Sequence, residues 1–256
     1  MKLGNLIKYG IPDMIIEAWT NRQGQQLLPL QEQALKNGLL GCGDGELRNL
    51  LISAPTSSGK SFCGEMAAID TLLHRRKTIM LFPLKSIIEE KYDYFRGCYN
   101  ELGIKTIIVT GDHPENDRAF RRGDFDLALA VYEKFNHLLT SNPDILCHIG
   151  LIVIDELQMI GDAERGIDLE LALTKIIASG YKPRLIALSA VLQNETDLAR
   201  WLDCDLIRET VRPVDLHVGV ACNGEFRYRS FNSAREDCED IAIPPESGEN
   251  GAIEFL

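Results

Sequence analysis

A run of small residues that ends in a lysine and a serine can bind phosphate. Small side chains let successive backbone N–H groups turn toward one phosphate, and a helix that begins directly afterwards adds positive potential. In this pattern Lys60 reaches the β- and γ-phosphates of a nucleotide and Ser61 is a ligand of Mg²⁺. The expected cofactors are therefore ATP and Mg²⁺, bound by Ala54, Pro55, Thr56, Ser57, Ser58, Gly59, Lys60 and Ser61.

Two adjacent carboxylates, Asp155 and Glu156, follow the apolar segment 151–154. A phosphate loop of this kind needs an acidic partner at the end of a neighbouring strand. Asp155 is expected to hold the metal ion through water, and Glu156 to polarise the attacking water as a general base. Lys60 and Glu156 are therefore the predicted catalytic residues.

The elements that must position these residues are short apolar segments separated by stretches with helical spacing. The apolar segments cover residues 49–53, 78–82, 106–110, 127–131, 151–155 and 185–189. This alternation predicts an α/β fold with a mostly parallel sheet of about six strands and helices on both faces. In such a sheet the carboxyl ends of the strands meet at one edge, so the phosphate loop and the two carboxylates come together there.

Charge and cysteine content exclude some function classes. The net charge of −11 argues against a broadly basic nucleic-acid coat protein. The charge is unevenly distributed, because residues 1–105 have a net charge of +2 and residues 106–256 a net charge of −13. An anionic ligand is therefore expected to bind to the first half of the chain. The seven scattered cysteines contain no C-x-x-C pair and are typical of reduced thiols. No apolar run reaches membrane-spanning length and no export signal opens the chain. We expect a cytoplasmic, nucleoid or nuclear protein with no membrane partner.

The phosphate loop and the carboxylate pair belong to an ordered set of short motifs. The set resembles the superfamily 2 helicases, in particular the DExH-box, superkiller-like branch that includes archaeal and eukaryotic repair helicases. The resemblance covers most of the chain. Its other motifs are, in order, Leu28-Pro29-Leu30-Gln31, Phe82-Pro83-Leu84-Lys85-Ser86, Thr110-Gly111-Asp112, Tyr132-Glu133-Lys134, Asp155-Glu156-Leu157-Gln158, Leu188-Ser189-Ala190-Val191 and Arg212-Pro213-Val214-Asp215-Leu216.

The resemblance implies a RecA-like fold and further site residues. Gln31 is expected to recognise the adenine edge, and Gln158 and Ser189 to couple the ATP site to a bound strand. Single-stranded nucleic acid, DNA more than RNA, is the implied partner. It is expected to bind through its backbone at Pro83, Lys85, Thr110, Gly111, Glu133 and Lys134.

The motif order also predicts the domain organisation. Residues 1–40 are expected to form an N-terminal helical extension that carries the Q-motif-like segment. Residues 41–210 are expected to form the RecA-like ATP-binding domain, and residues 211–256 an exit strand and an acidic linker. By resemblance, the linker leads to a second RecA-like domain, and the 256-residue chain alone is expected to hydrolyse ATP poorly.

Three departures from the family pattern keep other functions open. Gln158 stands where this branch usually has His, Val191 where it usually has Thr, and Ala130-Val131 where hydroxyl residues often contact nucleic acid. The leading hypothesis is an ATP-dependent helicase or translocase. The alternatives are a phosphate-loop kinase or nucleotide switch, and a nucleotide-binding module of a repair or defence complex that does not itself unwind nucleic acid.

Overall fold

The apolar segments of the sequence become the strands of one parallel sheet. The computed structural model describes residues 1–41, 47–213, 215–222 and 224–240. The sheet has seven strands in the order β3-β4-β2-β5-β6-β1-β7, and every neighbouring pair is parallel. The prediction of a RecA-like α/β fold is confirmed. The strands are β1 (Asn49–Ser53), β2 (Lys77–Phe82), β3 (Thr106–Val109), β4 (Leu127–Val131), β5 (Ile149–Ile154), β6 (Arg184–Ser189) and β7 (Cys204–Arg208).

Helices cover both faces of this sheet, which explains why its inner strands are apolar throughout. Successive strand residues point to opposite faces, so Leu50 and Ile52 lie in one core while Leu51 lies in the other. The first core also contains residues of α1–α4, and the second contains residues of α5–α8. The helices are α1 (Asp13–Gln23), α2 (Pro29–Lys36), α3 (Lys60–Leu73), α4 (Lys85–Tyr99), α5 (Asp117–Arg121), α6 (Tyr132–Ser141), α7 (Gly166–Ala178) and α8 (Glu195–Trp201).

Short 3-10 helices occupy several of the connections. They cover Leu3–Tyr9, Asn100–Leu102, Pro114–Asn116, Pro143–His148 and Leu157–Gly161. Within the described ranges, none of the helices is long and apolar enough to cross a membrane.

The N-terminal helix α1 is attached to the domain through a buried polar cluster. Trp19 donates from its indole nitrogen to the Tyr99 hydroxyl at 2.6 Å, and Tyr99 and Tyr94 both donate to the Glu65 carboxylate. Burial raises the pKa of Glu65, and the two hydroxyl donors oppose that shift. These contacts tie α1 to α3, the helix that follows the phosphate loop, and to α4.

A glycine in α3 allows this helix to approach the sheet closely. A Cβ atom at Gly64 would lie 2.9 Å from Cγ1 of Val153 and 3.0 Å from Cδ1 of Leu188, both in the sheet core. We therefore expect Gly64→Ala to lower the free energy of unfolding by about 1–3 kcal/mol, because it overpacks a filled interior. Denaturant unfolding measures this change.

Gly97 in α4 is the matched control for this prediction. A Cβ atom there meets nothing within 4 Å. Gly97→Ala should therefore raise the free energy of unfolding by up to about 1 kcal/mol through helix propensity alone. Equal effects of the two substitutions would contradict the close approach at Gly64.

The sequence analysis missed the seventh strand, β7. Only Ile207 of its five residues is buried, since β7 lies at the edge of the sheet beside β1. An edge strand with one buried side chain leaves no continuous apolar run, so the segment Cys204–Arg208 gave no strand signal.

The first compact unit is Met1–Glu209, and a second unit begins at Thr210. The second unit contains an antiparallel sheet of β8 (His217–Cys222), β9 (Glu225–Ser230) and β10 (Glu236–Asp240). The strand β8 lies within residues 211–256, where the sequence predicts an exit strand. The expectation of an acidic linker is wrong over residues 225–240, where two strands pair, and residues 241–256 of that linker lie outside the described residues.

Cross-strand contacts explain why this acidic stretch folds as a sheet. The register places Arg229 opposite Glu236, so a basic side chain on β9 offsets an acidic one on β10. Tyr228 stacks on His217 at 4.1 Å between ring centroids and donates a hydrogen bond to Glu239 at 2.8 Å. Aromatic pairs and opposite charges stabilise neighbouring strands, and net composition alone does not show them.

Candidate functional site

The carboxyl edge of the parallel sheet carries nearly all the residues predicted to do chemistry. The phosphate loop follows β1, Ser189 ends β6, and the Asp155-Glu156 pair follows β5. These three strands are neighbours, and we call their part of the edge the ATP half. Of the four remaining strands, β7 lies beyond β1 at the far edge, and β2, β4 and β3 are also neighbours. We call their part the strand half, because it carries the residues predicted to bind a nucleic-acid strand.

In the ATP half, the phosphate loop folds around the ammonium group of its own lysine. Lys60 donates from Nζ to the carbonyl oxygens of Ala54 at 2.7 Å and Pro55 at 2.9 Å. Two loop residues, Ser57 and Gly59, have positive φ angles of 66° and 84°. The helix α3 then begins at Lys60, so its N-terminus points into the loop. This is the strand–loop–helix geometry that phosphate binding requires.

Gln31 lies against the same loop. Its side-chain carbonyl accepts the backbone N–H of Leu28 at 2.9 Å, and its amide nitrogen donates to the carbonyl oxygen of Gly59 at 3.3 Å. A Cβ atom at Gly59 would displace the Gln31 amide from this contact, and the φ of 84° by itself favours glycine there. The structure thus brings the Q-motif-like residue to the phosphate loop.

The two predicted acidic residues lie directly at the end of β5. Burial, together with the adjacent Glu156 carboxylate, raises the pKa of Asp155 to about 6, and the charge of Lys60 opposes that shift. Glu156 has a left-handed backbone with φ 55°, and Tyr132 donates from its hydroxyl to the Asp155 carbonyl oxygen. Asp155 is therefore a half-buried carboxylate beside a second one, an arrangement that a bound cation would stabilise.

The chemistry of the residues at this site fits MgATP. Mg²⁺ prefers hard oxygen ligands and keeps several waters, so one hydroxyl and one carboxylate are enough protein ligands. Ser61, the second residue of α3, and Asp155 supply these two groups. Lys60 supplies a nearly buried positive charge, with 8% of its surface exposed, and this charge suits the polyphosphate of a nucleotide.

Gln158 joins the ends of β5 and β6. Its amide nitrogen donates to the Glu156 carboxylate. Its carbonyl oxygen accepts the Ala190 backbone N–H at 2.9 Å and the Ser189 hydroxyl at 3.2 Å. The two residues predicted to couple the site, Gln158 and Ser189, are therefore in direct contact, and Gln158 also contacts the predicted general base.

The strand half has a cavity of about 650 Å³ lined by most of the residues predicted to bind a strand. Five of those six residues line it: Pro83, Lys85, Gly111, Glu133 and Lys134. Each lysine is paired with a carboxylate, Lys85 with Asp112 at 2.6 Å and Lys134 with Asp117 at 2.7 Å. The Lys85 pair is exposed, and such pairs contribute little stability, so a phosphate group could displace Asp112.

Thr110, the sixth residue, differs from the expectation. Thr110 is fully buried, and its hydroxyl has no hydrogen-bond partner among the described residues. It lies directly after β3 and does not line the cavity, whereas its neighbour Gly111 does. Ala130, one of the departures from the family pattern, is likewise fully buried in β4, and there it cannot offer a surface contact to a strand.

Two of the cavity residues lie outside all the segments that the sequence analysis singled out. His137, in α6, and Arg165, in the turn before α7, line the same cavity. His137 lies four positions after Glu133 and three after Lys134 in the same helix. Residues at these spacings share a helix face, so the sequence could have indicated that His137 lies beside them. Arg165 had no such signal, because only the folded turn brings it to Pro83.

A larger cavity, of about 860 Å³, opens at the opposite edge of the sheet. It lies near the first residues of β1 and β6, Asn49 and Arg184. None of the residues predicted to do chemistry lines it.

Comparison with known proteins agrees with this geometry. The model of the DEAD/DEAH box helicase family matches residues 28–198. The chain is 34% identical to the ATP-dependent DNA helicase Hel308 of Pyrococcus abyssi, in a match over 100% of this chain and 34% of that protein. It is 37% identical to Hel308 of Thermococcus kodakarensis, in a match over 91% of this chain and 20% of that protein. The chain thus spans about a third or less of the length of these curated relatives.

A solved structure with the same fold is that of the DUF1998 helicase MrfA bound to DNA. The match has a TM-score of 0.61 at 18% identity, and it covers 79% of this chain and 30% of that one. At this identity the likeness shows a shared fold. The family match extends from the Q-motif-like segment, through the phosphate loop and the Asp155-Glu156 pair, into α8. This chain therefore belongs to the DEAD/DEAH box helicase family.

Proposed function

We propose that this chain is the ATP-binding, first RecA-like domain of a DNA helicase or translocase that couples ATP hydrolysis to movement along a single strand. One observation supports this most strongly. A single edge of one sheet carries an ATP half and, on the adjacent strands, a cavity lined by the residues that the family uses for strand binding. A phosphate-loop kinase or switch needs only the first of these.

In the ATP half, the phosphate loop and the N-terminus of α3 bind the phosphates, and Lys60 contacts the β- and γ-phosphates. Ser61 and Asp155 hold Mg²⁺, which would neutralise charge on the phosphate oxygens. Glu156 orients and deprotonates the attacking water. Gln31, which already contacts the loop through Gly59, recognises the adenine edge.

In the strand half, Lys85 and Lys134 contact backbone phosphates, while Pro83, Gly111 and Glu133 shape the cavity. Contacts to backbone phosphates do not distinguish between bases, so binding should depend little on base sequence. Because these contacts are electrostatic, binding should depend strongly on salt concentration. We propose DNA over RNA because the similar proteins are named DNA helicases.

We further propose the finer assignments that the motifs imply. The chain belongs to the DExH branch of superfamily 2, and Gln158 occupies the position where that branch usually has histidine. A second RecA-like domain lies beyond the ATP-binding domain. Residues 1–40 and 41–210 would be the helical extension and the RecA-like domain. The relatives' greater length leaves room for the second domain. A location in the cytoplasm or with the DNA, in the nucleoid or nucleus, follows from the same proposal.

Titration of a fluorescent single-stranded oligothymidylate tests the strand half. The wild-type chain should bind it, and the logarithm of the affinity should fall linearly with the logarithm of salt concentration. The double variant Lys85→Ala/Lys134→Ala should bind more weakly and flatten that slope by about 0.7 for each phosphate contact that is lost.

The matched control is Lys36→Ala/Lys182→Ala, which removes two exposed lysines that do not line the cavity. This variant should bind like the wild type. A wild-type chain that binds no single strand, or a control variant that loses as much affinity as the test variant, would contradict the proposed function.

A further inference from the structure

The segment that follows Glu156 reaches from the ATP half to the strand half. Arg165, at the end of this segment (residues 157–165, the connector), donates a hydrogen bond from Nη1 to the carbonyl oxygen of Pro83 at 3.0 Å. Pro83 directly follows β2 and lines the cavity of the strand half together with Arg165. One hydrogen bond therefore joins a segment that begins at the predicted general base to a loop predicted to bind the strand.

At its first end, the connector is attached to Glu156. The 3-10 helix Leu157–Gly161 begins directly after Glu156, and the Met159 N–H donates to the Glu156 carbonyl oxygen at 2.9 Å. The Glu156 carboxylate also accepts a hydrogen bond from Gln158. A shift of Glu156 must therefore move the start of the connector.

At its other end, the connector closes into a tight turn that fixes Arg165. Asp162 accepts the backbone N–H groups of Glu164 at 3.0 Å and Arg165 at 2.9 Å through Oδ1, and these bonds lower the pKa of Asp162. The Gly166 N–H donates to the Asp162 carbonyl oxygen at 3.0 Å. A Cβ atom at Gly166 would collide with the carbonyl group of Ile160, so the turn is packed against the 3-10 helix.

The guanidinium group of Arg165 suits a positioning role. It is always charged and presents several donors in a fixed planar arrangement, so it can hold a carbonyl oxygen in a defined place. The Arg165 side chain is half-buried and packs among residues of the strand half, whereas Lys85 beside it is exposed. The carbonyl group that Arg165 holds belongs to the residue two positions before Lys85.

We propose that Arg165 is a positioning residue that transmits the state of the ATP site to the strand-binding loop through the Pro83 carbonyl group. This inference rests on the proposed function. Nucleotide binding at the ATP half changes the position of Glu156, the connector follows as one unit, and Arg165 moves the Pro83 loop. Arg165 acts on that loop and does not itself bind a phosphate of the strand.

The test measures how strongly nucleotide and strand binding affect each other. The dissociation constant of the fluorescent oligothymidylate is determined without nucleotide and with saturating Mg²⁺ and a non-hydrolysable ATP analogue. The ratio of the two constants is the coupling, which for linked sites is commonly about 5–150-fold. The wild type should show a ratio of at least about fivefold, and Arg165→Ala should bring it close to one.

Two further variants make the result specific to the hydrogen bond. Arg165→Lys keeps a donor that can reach a carbonyl oxygen, so it should recover part of the coupling. Arg200→Ala removes an exposed arginine in α8 that pairs with Asp197, and it should keep the full wild-type ratio. Thermal unfolding of each variant verifies that it is folded.

The outcomes separate the inference from the function on which it rests. Loss of coupling in Arg165→Ala, with an unchanged salt dependence of strand binding, supports the positioning role. A slope flatter by about 0.7 would show that Arg165 contacts a phosphate directly, and it would overturn the inference. A wild-type ratio in Arg165→Ala would also overturn it, with the proposed function intact. A wild-type chain that binds the nucleotide analogue but no strand would overturn both.

Discussion

Replacing Glu156 with Gln is expected to slow ATP hydrolysis by about 10²–10⁴-fold while MgATP binding stays near the wild-type affinity. The amide keeps the shape of the side chain and one oxygen that can still accept the Gln158 hydrogen bond. It cannot take a proton from water, so the step that needs a general base is lost. Single-turnover hydrolysis with saturating MgATP measures the rate, and a fluorescent ATP analogue measures the affinity.

The control for this prediction is Glu164→Gln, which makes the same chemical change at an exposed carboxylate of the connector. Its hydrolysis rate should equal that of the wild type. If Glu156→Gln hydrolyses ATP at the wild-type rate, the general base is another residue and the role proposed for Glu156 is wrong.

Replacing Lys60 with Ala is expected to weaken MgATP binding by about 10–100-fold. Hydrogen bonds to charged groups contribute about 1.5–3 kcal/mol each, and each 1.4 kcal/mol corresponds to a factor of ten in affinity. Lys60 is nearly buried inside the loop and already donates to two of its carbonyl oxygens. Its ammonium group is therefore close to its binding position before the nucleotide arrives.

Calorimetric titration with the non-hydrolysable analogue measures this loss. Lys105→Ala is the matched control, since Lys105 precedes β3, at the opposite edge of the sheet, and pairs with Asp124 at 2.7 Å. It should leave the affinity unchanged. Circular dichroism must show that Lys60→Ala is folded, and in a folded variant an unchanged affinity would rule out the proposed phosphate contact.

The parallel sheet could be predicted from sequence because its signal is local. Segments such as 151–154 are apolar throughout, and burial between two layers of helices requires this of a central strand. The residues of the ATP half could also be predicted from sequence. The loop of small residues and the Asp155-Glu156 pair are each recognisable from a few consecutive positions. Parallel topology then brings the strand ends together without further information.

The features that sequence reasoning missed depend on contacts between distant segments. β7 is an edge strand with one buried side chain. β9 packs against β8 through the aromatic pair Tyr228–His217, and it pairs with β10 through opposite charges. The burial of Thr110 could not be predicted either, because a motif gives the residue type but not the side of the chain that meets solvent. Arg165 meets Pro83 across 82 positions of sequence, a distance that no local pattern spans.

The glutamine at position 158 has a consequence for how the protein responds to acidity. The Glu156 carboxylate can only accept and the Ala190 N–H can only donate, so their link needs one group that does both. A neutral imidazole can do this, but it gains a proton within the physiological range and then has no acceptor left. An amide has no proton to gain in that range. The hydrogen-bonded link between the ends of β5 and β6 should therefore remain intact under mildly acidic conditions. In a relative with histidine at this position, the same conditions would break the link.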